Sequence, residues 1–352
     1  MASDTAVSPK IVHLAREGWS SLGRPVAILA IAFVVFALFL LVFGKNPFQA
    51  YADVLRTTLG SQYGFSEVLV RWIPLVLTAV AVAVPARVGL VKVGGEGQFY
   101  MGAWLASWGA LTFDALPVGI LLPLMVLLGF LGGGIWAAIP GFLRSMGWMS
   151  EIISTVLLNF VAILFVSAFV FGPWRDAGSS NFPQTEAFVS AALLPHFADT
   201  RVHLGIVFAA IALVLFYLVL TKTRFGYEMR AIGGNPEAAR RSGIPMRRYL
   251  VTAMLVGGGI AGIAGMAEAS GIQGRLRPGL SPGYGYIGFL ISWLAGHNPA
   301  LLGVFALLLA IIAAGGDILQ IGHQLPYAAV NILMSLILFS VLGFRARKGA
   351  MK

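Results

Sequence analysis

The chain has 352 residues, of which 58% are apolar and only 11% are charged, and its formal net charge is +10. Soluble globular proteins are roughly 45–50% apolar and about 25% charged. This composition therefore excludes a soluble enzyme, a nucleic-acid-binding module and a disordered chain. The sequence contains no cysteine, which excludes disulfides, iron–sulfur clusters and thiolate metal sites. We expect an all-α polytopic membrane protein in which lysine and arginine mark the cytoplasmic side.

The basic residues are concentrated in three clusters, which hold fourteen of the 24 lysines and arginines. They are Lys10, Arg16 and Arg24; Lys222, Arg224, Arg230, Arg240, Arg241, Arg247 and Arg248; and Arg345, Arg347, Lys348 and Lys352. If all three clusters are cytoplasmic, the spans between them must be even in number. We therefore predict a cytoplasmic N-terminal segment at 1–24, a transmembrane domain at 25–343 and a cytoplasmic basic tail at 344–352.

Hydropathy predicts ten spans, because a helix needs about 20 apolar residues to cross a bilayer. In chain order they lie at about 25–43, 66–86, 98–113, 117–140, 152–172, 203–221, 249–269, 284–296, 300–319 and 326–343. Six precede the basic segment 222–248 and four follow it, so both termini are expected in the cytoplasm. The short run at 284–296 is typical of a re-entrant or broken span. We interpret the first run as an uncleaved span, since it is longer than a signal peptide requires.

The longest outer loop covers residues 172–202 and contains several prolines and glycines, which predicts a mostly irregular segment. Two interpretations are open for this loop. It contacts a partner outside the cytoplasm, or it is a solvated connector between spans.

Two glycine-rich breaks indicate an internal repeat. Gly94, Gly95 and Gly97 precede an apolar run with the sequence Leu-Ala-Ser-Trp, and Gly283 and Gly285 precede a run with Leu-Ile-Ser-Trp. The breaks come before the third and eighth predicted spans, so an odd number of spans separates them and the repeat is inverted. Paired helix interruptions in inverted repeats point to a transport site. Chance similarity between glycine-rich apolar segments is the alternative.

The basic segment 222–248 contains a predicted short helix. Asn235 is placed to cap its N-terminus, Pro236 suits its first position and Glu237 suits the helix dipole. Ala238 and Ala239 give it a small face. A short capped helix of this kind is suited to docking in a groove of another protein, whereas the alternative is a solvated basic loop that only fixes orientation.

Residues 225–244 resemble the cytoplasmic coupling motif of ABC importer permeases, in the branch that handles branched-chain amino acids, simple sugars and nucleosides. The family pattern is a basic-Phe-Gly, an Arg-Ala pair, Gly-x-Asn-x-x-Ala-Ala and a closing Gly-Ile. The resemblance implies contact with an ATP-hydrolysing subunit through Phe225, Gly226, Arg230, Ala231, Gly233, Asn235, Pro236, Ala238, Ala239, Gly243 and Ile244.

Two further stretches are similar to the nucleoside-type permeases. Residues 93–98, VGGEGQ, resemble the family's Asn-x-Gly-x-Glu-Gly-Gln signature from Gly94 onward, with Lys92 in the usual Asn position. Residues 150–160, SEIISTVLLNF, resemble its Glu-Val-Ile-x-Thr-x-Met-Leu-Asn-Tyr stretch, with Phe160 in place of Tyr. The resemblance implies about ten transmembrane helices in a type II-like ABC importer permease fold with an inverted repeat.

The predicted solute pathway combines polar groups with aromatic faces, as a nucleoside requires. Its candidate residues are Gly95, Glu96, Gly97, Gln98, Phe99, Trp104, Trp108, Asn159, Tyr284, Tyr286, Trp293 and Asn331. Structural alternatives accompany several of them. Glu96 could bond to backbone or to Lys92, the tryptophans could belong to an interfacial belt or to packing, and Asn159 could bridge helices.

These observations predict one half of an importer pore for nucleosides or related small polar solutes. The chain has no phosphate-binding loop of the GxxxxGK[ST] form, so ATP and Mg would bind to separate ATPase subunits and the chain itself would bind no cofactor. Its five histidines show no metal-ligand spacing, and neither a metal site nor a catalytic residue is predicted. The other expected partners are a second permease subunit, an extracytoplasmic substrate-binding protein and membrane lipid, but not nucleic acid.

The expected location is a bacterial inner membrane. The second permease is expected to be a different paralogue, with a homodimer as the alternative. Simple sugar or branched-chain amino acid import is the nearest rival function. An ion-coupled secondary transporter is more remote, because the carboxylates cluster at span ends rather than in pairs within spans. An intramembrane enzyme would need paired His or Asp residues on facing spans, and none is apparent.

Overall fold

A computed structural model describes residues 30–179, 182–198, 200–326 and 328–349 of the chain. The predicted cytoplasmic segment 1–24 and the start of the first span lie outside these residues. The described residues divide into two compact units: one comprises 30–54 and 316–349, and the other comprises 55–315.

The described residues form thirteen α-helices and two short helical turns. They contain no regular strand. In chain order the helices are α1 (Ala30–Val42), α2 (Pro47–Leu59), α3 (Gln62–Ala86), α4 (Gly95–Thr112), α5 (Val118–Ser145), α6 (Glu151–Phe171), α7 (Gly205–Lys222), α8 (Arg224–Gly234), α9 (Pro236–Arg241), α10 (Met246–Glu268), α11 (Tyr284–Leu294), α12 (Pro299–His323) and α13 (Ala328–Gly349). A π-helical turn at Ala269–Gln273 extends α10. The all-α class predicted from the sequence is confirmed.

Six of these helices are long and apolar enough to cross a membrane: α3, α5, α6, α7, α10 with its π-helical extension, and α12. The pair α1 and α2 adds a seventh if it forms one span, although the two helices are bent by 115°. Each predicted span overlaps one of the helices, but α4, α11 and α13 are not among the six. The number ten therefore stays a prediction. The sequence analysis did not anticipate α2, whose four-residue separation from α1 contains Gly44 in the left-handed region at φ 69°.

The core of the larger unit is built where α4 and α5 pack on a glycine-lined face of α10. A Cβ atom built at Gly262 of α10 would lie 2.0 Å from the carbonyl oxygen of Gly129 on α5. A Cβ atom at Gly102 on α4 would lie 2.1 Å from the Gly262 Cα. Small residues let helix backbones approach this closely in membrane proteins. The three helices therefore contact one another through backbone rather than through long side chains.

The loop between α6 and α7 is irregular, as predicted, and contains one 3₁₀ turn at Ser190–Ala192. It is anchored to the segment that follows α10. The Thr185 N–H donates to the Leu276 carbonyl at 3.0 Å, and the Phe188 N–H donates to the Gly274 carbonyl at 2.8 Å. The Ser270 hydroxyl also donates to the Ala192 carbonyl. The described part of the loop is thus a packed element of the larger unit.

Candidate solute pathway and coupling segment

The two glycine-rich breaks found in the sequence meet at the N-termini of α4 and α11. A Cβ atom built at Gly285 would lie 2.1 Å from the backbone nitrogen of Glu96, and one at Gly95 would lie 3.2 Å from the Gly285 Cα. Neither position can hold a side chain without moving backbone. We call Gly95, Glu96, Gly97, Asn159 and Gly285 the helix junction.

Glu96 caps the start of α11. It lies in the first turn of α4 and is 2% exposed, and its carboxylate Oε2 accepts a hydrogen bond from the Gly285 N–H at 2.7 Å. A carboxylate at a helix N-terminus satisfies free N–H groups and is favoured by the helix dipole. Of the two structural alternatives for Glu96, the geometry matches bonding to backbone, because the Lys92 ammonium has no hydrogen-bond partner among the described residues.

Asn159 of α6 caps the start of α4 in the same way. Its Oδ1 accepts from the Gly97 N–H at 2.7 Å, and its Nδ2 donates to the Val93 carbonyl at 2.9 Å. The same Nδ2 lies 3.4 Å from the Tyr286 hydroxyl, which accepts a long hydrogen bond from it. Asn159 is fully buried. The N-termini of α4 and α11 therefore both have side-chain caps supplied by the chain itself.

The connector between α3 and α4, residues 87–94, is held along α6. The Val91 N–H donates to Glu151 Oε1 and the Val93 N–H donates to Thr155 Oγ1, each at 3.2 Å. Glu151 also forms an ion pair with Arg144 at 3.0 Å. These bonds satisfy backbone groups of a partly buried, non-helical segment.

Two buried polar groups beside the junction have no hydrogen-bond partner among the described residues: the Gln98 Oε1 atom and the Lys92 Nζ atom. Gln98 is 1% exposed and Lys92 is 0% exposed. The Lys92 ammonium lies where α3 meets α10, since a Cβ atom built at Gly257 would lie 3.3 Å from Nζ and 3.0 Å from the Pro85 ring. Burial lowers the pKa of Lys92 to about 7. An unpaired buried acceptor such as Gln98 Oε1 suits a hydroxyl or amine donor of a bound solute.

The aromatic candidates divide into two groups. Tyr284 and Tyr286 start α11, and the Tyr284 ring lies 6.0 Å from that of Phe99. Tyr286 is 40% exposed and presents an aromatic face beside Asn159. Trp104 instead stacks on Trp174 with ring centroids 5.6 Å apart.

The remaining candidates lie away from the junction or outside its unit. Trp104 and Trp293 are each nine or more residues beyond the starts of their helices, or at least about 13 Å along the axis. Trp108 packs edge-on against Phe113 at the end of α4. Trp104 and Trp108 therefore pack on neighbouring aromatic rings, and the role of the tryptophans in the pathway stays a prediction. Asn331 belongs to the other compact unit, and its role in the pathway stays a prediction.

The predicted coupling segment forms two short helices. Thr223 caps α8 by accepting from the Gly226 N–H at 3.1 Å, and Asn235 caps α9 by accepting from the Ala238 N–H at 3.0 Å. Pro236 is the first residue of α9, as predicted. Gly243, at φ 77°, ends α9 in the left-handed conformation, and the Ile244 N–H donates to the Ala239 carbonyl at 3.2 Å. This is the Schellman arrangement of a helix C-terminus.

The two alanines of α9 differ in exposure: Ala238 is exposed, whereas Ala239 is 4% exposed. In α8 the Phe225 ring stacks on Tyr249 with centroids 4.9 Å apart, and the Tyr249 hydroxyl donates to Glu228. That hydrogen bond, together with Arg224, holds the pKa of Glu228 below its usual value. Arg230 is exposed and Ala231 half-buried. The segment is thus ordered by its own caps and by α10.

Comparison with known proteins agrees with this geometry. Residues 64–342 match the family model described as branched-chain amino acid transport system, permease component. The chain belongs to this permease family. It is 36% identical to a glucose ABC transporter permease protein of Haloferax volcanii, over 92% of this chain and 88% of the relative. It is 30% identical to a nucleoside ABC transporter permease protein of Lactococcus lactis, over 90% and 89%. It is 29% identical to a guanosine ABC transporter permease protein of Bacillus subtilis, over 90% and 92%. No solved structure matches the chain.

The resemblance predicted from the sequence is therefore confirmed, and the chain is a multi-pass ABC transporter permease subunit. Sequence reasoning missed two residues that organise the permease. Thr78 donates to the Tyr284 carbonyl at 3.0 Å and so ties α3 to α11. Arg87 donates to the His297 carbonyl just beyond α11. A threonine in an apolar helix and an arginine at a helix end are too common to single out without the spatial contact.

Proposed function

We propose that this permease forms half of the translocation pathway of an importer for nucleosides, powered by separate ATPase subunits that dock on α8 and α9. The proposal rests on two groups around the helix junction: Tyr286 is 40% exposed beside Asn159, and the Oε1 atom of Gln98, which follows Gly97 on α4, is buried without a partner among the described residues. A nucleoside offers a flat base for the ring and hydroxyl donors for the acceptor.

The junction itself contributes positioning. Glu96 and Asn159 already cap the N-termini of α11 and α4, so Glu96 Oε2 and Asn159 Oδ1 are occupied within the chain. They hold α11 and Tyr286 in place. The solute would contact the faces that these caps leave open.

The orientation we propose follows from the charges. The two coupling helices carry exposed basic residues: Arg224 on α8, and Arg240 and Arg241 on α9. An excess of basic residues marks the cytoplasmic side. We therefore place α8 and α9, with both termini, in the cytoplasm of a bacterial cell. A second permease, preferably a different paralogue, would complete the pore, and an extracytoplasmic binding protein would deliver the solute.

A simple sugar is the second candidate solute, because the glucose permease relative is 36% identical to this chain. A hexose also offers hydroxyl donors to Gln98. It presents less flat surface to Tyr286 than a purine base does.

The deciding experiment is a ligand screen on the binding protein that works with this permease, since it selects the solute that is delivered. Thermal shift with guanosine, adenosine, glucose, ribose and leucine should show stabilisation by a nucleoside. Stabilisation by glucose or leucine without any nucleoside response would contradict nucleoside import while leaving the permease role in place.

A transport experiment distinguishes ATP from an ion gradient as the energy source. Uptake of radiolabelled guanosine by vesicles containing the whole complex should require ATP and should persist when an uncoupler collapses the proton gradient. Loss of uptake on adding the uncoupler, with ATP maintained, would favour an ion-coupled transporter instead.

A further inference from the structure

Residues 87–96 hold both ends of the half-helix α11. At its C-terminal end the Arg87 guanidinium donates to the carbonyl oxygen of His297. At its N-terminal end the Glu96 carboxylate accepts from the Gly285 N–H at 2.7 Å. The cationic group sits at the negative end of the helix dipole and the acidic group at the positive end. Two attachments of matching polarity fix both the position and the direction of α11.

The same connector is in backbone contact with α8. A Cβ atom built at Gly233 would lie 2.4 Å from the Arg87 carbonyl oxygen and 3.5 Å from the backbone nitrogen of Gly89. Gly89 has a φ of 81°, so the connector turns there in a conformation that L side chains rarely adopt. Arg230, one turn earlier on α8, is close enough to lower the pKa of Arg87 further, after burial itself. The coupling segment and the connector thus meet without intervening side chains.

The connector cannot bend freely between these contacts. Glu151 and Thr155 of α6 bind its backbone at Val91 and Val93, and Asn159 binds the Val93 carbonyl. A displacement at Arg87 therefore cannot be absorbed by slack in the chain. It must move the connector along α6 or tilt α11.

We infer that the connector of residues 87–94, together with Glu96 at the start of α4, transmits displacement of α8 to α11, so that the short helix carrying Tyr284 and Tyr286 moves as a unit when the coupling segment moves. Gly233 and Arg87 are then positioning residues of the transport cycle. The inference rests on the proposed docking of ATPase subunits at α8 and α9. It adds which part of the permease those subunits would move.

Adjacent glycines provide the test. An added methyl group at Gly233 meets the Arg87 carbonyl, whereas the same group at Gly234 meets nothing within 4 Å. We would purify the whole complex with Gly233→Ala or Gly234→Ala and measure ATP hydrolysis. In parallel, hydrogen–deuterium exchange of residues 284–294 would be compared in ATP with vanadate and without nucleotide. This readout needs no transported solute.

Wild type and Gly234→Ala should show a nucleotide-dependent change in exchange over α11, and Gly233→Ala should lose it while still hydrolysing ATP. We expect the nucleotide-dependent change in exchange over α11 to be about threefold to thirtyfold smaller in Gly233→Ala than in wild type. An unchanged α11 response in Gly233→Ala would overturn the inference.

Arg87→Gln is the second variant, in case Gly233→Ala does not assemble. It keeps the backbone contact with Gly233 but removes the charged donor to His297, so the α11 response should again shrink while ATP hydrolysis continues. A wild-type α11 response in Arg87→Gln would also overturn the inference. If no ATPase subunit assembles with the wild-type permease, the proposed function itself fails, which is a distinguishable result.

Discussion

Glu96 and Gly285 are 189 positions apart in the chain, and the Glu96 carboxylate caps α11 by accepting from the Gly285 N–H. The two breaks of the predicted repeat therefore bind each other. Glu96 therefore has a structural role, since its carboxylate caps the N-terminus of a neighbouring helix.

Replacing Glu96 should expose its capping role. Glu96→Ala leaves the buried Gly285 N–H without an acceptor, and we expect a loss of about 1–3 kcal/mol in stability, the cost of a buried unsatisfied group. Glu96→Gln keeps an acceptor oxygen and should retain most of that stability. Thermal unfolding of the purified permease measures both, with Asp114→Ala, at an exposed position, as the control. Equal melting temperatures for wild type and Glu96→Ala would remove the capping role.

Asn159→Leu should destabilise the junction from the opposite side. The substitution keeps a similar volume but removes the acceptor of the Gly97 N–H and the donor to the Val93 carbonyl. We expect a loss of about 1–3 kcal/mol and a drop in guanosine uptake. The neighbouring Phe160→Leu is the matched control, because Phe160 is exposed. If Asn159→Leu loses uptake at unchanged stability, Asn159 instead contacts the solute.

The two alanines of α9 should respond differently to enlargement. Ala238→Leu places a side chain on the exposed face and should weaken co-purification of an ATPase subunit without lowering the melting temperature. Ala239 is 4% exposed, so Ala239→Leu overpacks its surroundings and should lower the free energy of unfolding by about 1–3 kcal/mol. Pull-down and thermal unfolding of both variants give the comparison. The opposite pattern, with Ala238→Leu unstable and Ala239→Leu deficient only in docking, would show that α9 docks through its other face.

Lys92 should make stability depend on pH. Its pKa is about 7 in the folded protein, below the unfolded value of about 10.4. The unfolded chain therefore binds more protons between these values, and stability should rise as the pH increases from 7 toward 10. Below pH 7 the folded protein carries the full cost of a buried charge.

The matched variants for Lys92 are methionine and arginine. Lys92→Met removes the charge and should raise the melting temperature at pH 6, with a smaller gain at pH 9. Lys92→Arg cannot lose its proton in this range and should be destabilised at both values. A gain for Lys92→Met that is the same at pH 6 and pH 9 would contradict the assigned titration.

Much of the fold could be anticipated because apolar runs, glycine breaks and caps are local signals. Asn235 and Pro236 start α9 where their residue types predict, and the two breaks precede α4 and α11. The contacts across the junction could not be derived in this way, since Arg87 and His297 lie 210 positions apart. Which of Ala238 and Ala239 faces inward is likewise set by tertiary packing rather than by the local sequence.

The glycines where α4, α5 and α10 touch also restrict how this sequence can vary. Gly102, Gly133 and Gly262 each lie so close to a neighbouring backbone that even alanine would force two helices apart. Exposed positions of α5 such as Leu127 and Ile135 have no such limit. In a library of all single substitutions, the three glycines should be almost invariant among functional clones, while the exposed positions of α5 should accept most apolar residues. Tolerance to mutation should therefore change abruptly between the two faces of one helix.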